Sequence, residues 1–258
     1  VNRRVLVALL GGAALLYVLV CAFYFFAQGK MIFPAPAGAR TLPAAGTVVR
    51  GDGFRALDAP LPGGRGTVVL FHGNGEDLAD AAAMIDLWRE LRFSVFAVEY
   101  PGYGIARDLG APSRDAIYAS AERALSWVRE RRPGLLVVQG QSLGSAVAAE
   151  MARRGFGSRL VLLAPLTSLA EVAQRVVPWL PARLLLRERF DTSAIAGEVR
   201  QPVLIVHGTA DEVLPVEMAK RLSREFPHAE LHLIPGAHHN DLLSSYLPAL
   251  RSALSTAF

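Results

Sequence analysis

One stretch constrains this chain more than any other: Leu135-Leu-Val-Val-Gln-Gly-Gln-Ser-Leu-Gly-Ser145. Leu135 to Val138 is a short apolar run that reads as a buried strand. Gly140-Gln-Ser-Leu-Gly144 follows, and Ala146 to Arg154 then reads as a helix, rich in Ala, free of Pro and with one β-branched residue. A strand, a sharp G-x-S-x-G turn and a helix together form the context of a nucleophile elbow. Such a turn holds Ser142 in a strained backbone conformation, and side chains at 140 or 144 would collide with the flanking strand and helix. The helix that follows adds a dipole favouring negative charge at its start. A plain glycine-rich turn with a capping serine is the bland reading of the same residues.

The rest of the chain supplies an apolar appendage and a regular alternation. The 258 residues suffice for one large α/β domain plus that appendage, and 52% of them are hydrophobic. Mean hydropathy is +0.31, high for a purely soluble protein. Val5 to Ala27 carries no charged residue, and this run exceeds the roughly 20 residues that cross a bilayer core. It is long for a signal-peptide core, and no convincing small-x-small cleavage site follows, so an uncleaved single-pass anchor is expected over residues 1–28. Arg3 and Arg4 precede the run and Lys30 alone follows closely. The positive-inside rule then expects a cytoplasmic N-terminus and an extracytoplasmic hydrolase domain, periplasmic in a bacterium. Tyr17 lies too centrally for an interfacial anchor. Residues 29–46, with Pro34, Pro36 and Pro43, read as a linker, and 47–258 as the main domain. The net charge of +4 comes almost entirely from arginines. Several, such as Arg129, Arg153 and Arg154, sit where helices should end and read as solvated, so no nucleic-acid partner is expected. The single cysteine, Cys21, lies in the apolar run and allows no intramolecular disulfide.

Thr47 to Arg50 and Phe54 to Leu61 flank Gly51-Asp-Gly53 and predict a hairpin. Strands follow at Thr67 to Phe71, Phe93 to Val98, Arg159 to Leu163, Pro202 to Val206 and Glu230 to Ile234, with helical segments between them. Strands alternating with helices imply an α/β fold: a mainly parallel central sheet with helices on both faces. Glu230 to Ile234 alternates as an edge strand does. About residues 166–200 the rhythm breaks, and a short helical cap is expected over the strand ends, where it would exclude water from a pocket. The bland reading is that Trp179, Leu184 and Leu186 merely pack on the core.

Three strand ends offer, in chain order, Ser142, Asp211 and His239. That order is the one of the α/β-hydrolase fold. A hydroxyl attacks poorly until a base takes its proton, imidazole suits that task near neutral pH, and a carboxylate fixes its tautomer. His238 and His239 are adjacent, so only one should face Ser142. His72 and His207 precede glycines and suit loop-holding roles, whereas His228 and His232 read as surface or edge residues. Asp191, in the cap, is a rival acid, and Asp241 reads as a cap of the last helix. His72-Gly-Asn-Gly75 follows a strand upstream of the elbow, where an oxyanion hole draws its second N–H. The donors expected are the backbone N–H groups of Leu143 and Asn74. No spacing suggests a metal site, and no cofactor is expected.

At these residues the sequence resembles the membrane-anchored α/β hydrolases grouped with serine aminopeptidase-like and palmitoyl-protein-thioesterase-like members. The resemblance rests on His72-Gly-Asn74, Tyr100-Pro-Gly-Tyr-Gly104, Gly140-Gln-Ser-Leu-Gly144, Ala164-Pro-Leu-Thr-Ser168, His207-Gly-Thr-Ala-Asp211 and Gly236-Ala-His-His-Asn-Asp241. Gly29-Lys-Met-Ile-Phe-Pro34 resembles the family's lead-in after its anchor. The resemblance implies that His239 is the base; His238 and Glu99 depart from the family's pattern. It fixes no substrate, since such members cleave esters, thioesters or peptides.

The expectation is a serine hydrolase acting on an ester or thioester through an acyl-enzyme, with Ser142, Asp211 and His239 as triad. Its partner would be a small-molecule or acylated substrate, with a lipid-derived one favoured by the anchor. A serine aminopeptidase-like peptidase and a silent membrane-tethered binding protein are the alternatives.

Overall fold

A computed structural model describes residues 2–38 and 40–256. The first element is a long helix, α1 (Arg3–Ile32). The hairpin is β1 (Thr47–Gly51) and β2 (Phe54–Ala59). Then come β3 (Gly66–Phe71), α2 (Ala82–Glu90), β4 (Ser94–Glu99) and α3 (Arg114–Arg131). The elbow strand β5 (Leu135–Gln141) and helix α4 (Leu143–Arg153) follow, then β6 (Arg159–Leu163). Three short helices come next, α5 (Leu169–Val176), α6 (Ala182–Leu185) and α7 (Thr192–Ala196). β7 (Val203–Gly208), α8 (Val216–Glu225), β8 (Ala229–Ile234) and α9 (Leu247–Thr256) complete the chain.

Among the described residues the strands form one eight-stranded sheet in the order β1-β2-β4-β3-β5-β6-β7-β8. β1, β2 and β4 pair antiparallel, and every pairing from β4 to β8 is parallel. Alternation along each strand divides the core in two. Val69, Phe71, Phe96, Val98, Leu160 and Leu162 point to the face covered by α3, α4, α7 and α8. Val68, Leu70, Val95, Ala97, Val161 and Leu163 point to the face covered by α2 and α9. Both faces are buried, which is why these strands are continuous apolar runs. β8 lies at the sheet edge, and its residues are mostly half-exposed or exposed.

The chain leaves β3 for β4 on one side and then crosses to β5 on the other. The loops after β3 and β5 therefore diverge, and a crevice opens at their carboxyl ends. Those loops carry His72-Gly-Asn-Gly75 and Ser142.

Between β6 and β7, Phe190, Ala196 and Val199 are buried in the core, while Val176, Trp179 and Leu184 are exposed. Leu186 packs inward as the bland reading expects, but Trp179 and Leu184 do not: they are 56% and 81% exposed. The final segment also departs from expectation. α9 starts at Leu247, and the Asp241 carboxylate instead accepts the N–H of His238 at 2.7 Å. Asp241 thus closes the histidine loop rather than the last helix. Asp191, the rival acid, is occupied as the N-cap of α7, accepting from the Ala194 N–H.

Candidate active site

The elbow forms because two glycines let three elements converge. Ser142 has φ 51° and ψ −120°, a conformation that costs a non-glycine residue about 1–3 kcal/mol. Its N–H donates to Leu163 O at 2.9 Å, and its carbonyl accepts from the Ser145 N–H and hydroxyl. A Cβ at Gly140 would lie 2.0 Å from Gly144 O, and one at Gly144 would lie 2.2 Å from Phe71 O. The close approach thus joins β5 to α4 and α4 to the end of β3.

The structure brings Ser142, Asp211 and His239 together from the ends of β5, β7 and β8. His239 Nε2 is 3.1 Å from Ser142 Oγ, and His239 Nδ1 is 2.7 Å from Asp211 Oδ2. Asp211 and His239 are buried, whereas Ser142 is half-buried. The other Asp211 oxygen accepts from the Val213 and Leu214 N–H groups at 2.9 and 2.7 Å. Burial opposes charge on Asp211, but the bonds from His239 and Leu214 outweigh it and hold the carboxyl below its usual range.

His238 points outward and pairs with Glu212 at 2.9 Å; that carboxylate raises its pKa. His207 supports the acid loop. Burial pushes its pKa down, so it is neutral, and its Nε2–H donates to Leu214 O at 2.8 Å. His228 is exposed, and His232 pairs with Glu230 beside it at the sheet edge.

The loop after β3 lies over Ser142, since a Cβ at Gly73 would sit 3.7 Å from Ser142 Cβ. Its Gly73 N–H is taken by Glu76 Oε2 at 2.8 Å. The N–H groups of Asn74 and Leu143 have no hydrogen-bond partner among the described residues. Two free N–H groups beside a hydroxyl are what an oxyanion requires.

Several residues that fix this loop had no role assigned from sequence. Tyr100 and Tyr103 donate their hydroxyls to the carbonyls of His72 and Asn74 at 2.7 and 2.8 Å, which explains the Tyr100-Pro-Gly-Tyr-Gly104 motif. Glu76 also accepts from Gln141, beside Ser142, at 3.2 Å, and so ties the elbow to the loop. Beneath them His72 Nε2 lies 3.1 Å from the fully buried Glu99, close enough for attraction but without hydrogen-bond alignment. Burial pushes His72 down, yet Glu99 outweighs it, and the net shift is upward. The glutamate at 99 was the only sequence signal of this buried pair.

Among the described residues no group of His, Cys, Asp and Glu could hold a metal ion.

The model of the serine aminopeptidase S33 family matches residues 63 to 192. The chain belongs to that family. As an S33-family α/β hydrolase, it is similar to an uncharacterised protein of Mycobacterium tuberculosis, with 33% identity over 237 residues. That match covers 86% of this chain and 84% of the relative. Alpha/beta hydrolase domain-containing protein 17C of Xenopus tropicalis is 32% identical over 201 residues, covering 75% of this chain and 63% of the relative. Among solved structures, a Pyrococcus furiosus esterase superposes with a TM-score of 0.68 at 16% identity, covering 87% of this chain and 94% of that one. A Paleococcus ferrophilus monoacylglycerol lipase gives 0.61 at 20% identity, covering 79% of this chain and 97% of the lipase. At such identities the likeness is one of fold.

Proposed function

We propose that this S33-family hydrolase cleaves an ester or thioester through an acyl-enzyme formed on Ser142. The observation that carries this reading is the unbroken line from Asp211 Oδ2 through His239 to Ser142 Oγ, with links of 2.7 and 3.1 Å. Ser142 Oγ attacks the carbonyl carbon while His239 Nε2 takes its proton, and Asp211 holds Nδ1–H and stabilises the imidazolium. The oxygen that becomes negative is received by the N–H groups of Leu143 and Asn74. The tetrahedral species collapses, the bond to the leaving alcohol or thiol breaks, and His239 returns the proton to it. Water then attacks the acyl carbon, giving its proton to His239, and the acid leaves with Ser142 restored. No step needs a cofactor.

The structural neighbours named as esterase and lipase support an ester substrate, while the family description keeps an aminopeptidase activity as the second reading. A panel of chromogenic esters, thioesters and aminoacyl amides separates the two. The first test is labelling with a fluorophosphonate probe. Native protein should label and Ser142→Ala should not. Equal labelling of both, or none of either, overturns the assignment.

A further inference from the structure

α1 is more than a free-standing apolar rod. It is long and apolar enough to span a membrane, with a mean hydropathy of 2.6 over its most apolar window. Yet its second half is held by the hydrolase. Tyr17 donates to Trp179 O at 3.1 Å, the Tyr24 and Trp179 rings meet edge to face at 6.0 Å, and Gln28 bonds Leu185 O and the Arg187 N–H. Gln28 is the one buried residue of α1.

Between this half of α1 and helices α5 and α6 runs a cleft of about 280 Å³. Tyr24, Met31 and Ile32 form one wall, and Val172, Ala173 and Val177 the other. Its inner end reaches Asn74, whose side chain donates to Ile32 O at 3.2 Å. The cleft therefore touches the candidate oxyanion loop at Asn74, and it is of the size at which small-ligand pockets begin.

Membrane depth says what fills it. At 1.5 Å per residue, Tyr17 stands about 20 Å along α1 from Arg4, while the hydrocarbon core is about 30 Å thick. With Arg3 and Arg4 at one interface, Tyr17 lies inside the hydrocarbon, and so does the Trp179 bonded to it. The cap's exposed Val176, Trp179 and Leu184 then face lipid rather than water. Residues 172 to 187 contain no acid, and their three arginines, Arg175, Arg183 and Arg187, are all exposed. That charge suits an anionic headgroup layer.

We propose that this cleft holds the acyl chain of a bilayer-resident lipid ester, which enters sideways from the membrane, and that α1 is one wall of the binding site rather than only a tether. The proposal rests on the ester-hydrolase reading above. The chain lies between α1 and the cap: Tyr24 stands about 30 Å and Ile32 about 42 Å along α1 from Arg4, so the ester is drawn from the far interface toward the N–H of Asn74 beside Ser142.

The test uses the full chain in phosphatidylcholine vesicles and compares kcat/KM for p-nitrophenyl dodecanoate and acetate. Wild type should prefer the long chain at least tenfold. Ala173→Trp fills the cleft from the cap and Met31→Trp fills it from α1, and each should lower the dodecanoate-to-acetate ratio at least tenfold. Met31 is half-exposed and outside the core, so its variant keeps the test open if the cap variant misfolds. An unmoved ratio in Met31→Trp, or no long-chain preference in wild type, overturns the proposal. So does a preference for an S-acylated peptide over monoacylglycerol in the same vesicles. If wild type cleaves neither ester and takes no fluorophosphonate, the hydrolase reading is what fails. A photoactivatable fatty acid then reports on the cleft alone: cross-links to both α1 and α5 sustain it, and their absence overturns it.

Discussion

At the scale of single residues, Asp211 has more than one task. One of its oxygens faces His239, and the other ties down the N–H groups of Val213 and Leu214. Asp211→Asn can satisfy only one side. If the amide oxygen keeps the loop, its NH2 opposes His239 Nδ1–H and drives the proton to Nε2, where it cannot accept from Ser142. Turnover of a chromogenic ester should then fall by about 10⁴-fold, as in other triads, with fluorophosphonate labelling slowed to match. A variant with near-normal kcat would remove Asp211 from the proposed triad. His238 shows why adjacency is not equivalence. Its backbone N–H is bonded to Asp241 and its ring to the exposed Glu212, so the chain turns and only His239 reaches inward.

At the scale of elements, the helix after the elbow must hold a strained start, and it is braced at its other end. Glu150, nearly buried on α4, accepts from Arg153 and Arg154, and Arg154 reaches across to Glu122 on α3 at 2.6 Å. These arginines lie exposed at the end of α4, as expected, and also form a network that couples two helices. Burial opposes charge on Glu150, but the two guanidinium groups outweigh it and lower its pKa. Glu150→Gln should cost about 1.5–3 kcal/mol at neutral pH, the range for hydrogen bonds to charged groups. A carboxylate with a depressed native pKa stabilises above its unfolded value, near 4.3, and that stability is lost as pH falls through the native one. Urea midpoints of wild type and variant should therefore converge as pH falls through that lowered native value. A gap that stays constant with pH would exclude the charged network as its source.

At the scale of the whole molecule, α1 and the sheet domain meet along the cap, so the proposed membrane arrangement is a statement about the whole chain. We propose a cytoplasmic N-terminus and an extracytoplasmic hydrolase, the orientation that Arg3 and Arg4 ahead of the helix favour by charge. In a bacterial host the protein should stay with membranes after an alkaline carbonate wash, and protease added to intact spheroplasts should digest residues beyond Ile32. Release by carbonate, or protection from protease, would reject the arrangement. The apolar residues exposed on the cap belong to the same surface as α1. Tyr17, too central for an interfacial anchor, ties the helix to Trp179 together with Tyr24.

The α/β fold, the edge position of β8, the elbow glycines and the order of Ser142, Asp211 and His239 were legible in the sequence. Each depends on local rules: hydrophobic periodicity, the backbone freedom of glycine, and loops that must follow strands. The choice between His238 and His239 rested on resemblance until the turn at Asp241 was seen. The roles of Glu76, Tyr100 and Tyr103, the buried His72 and Glu99 pair, and the cleft walled by α1 came only from tertiary structure. They join residues tens to more than a hundred positions apart, and no periodicity records which distant side chain a fold will set beside a given loop.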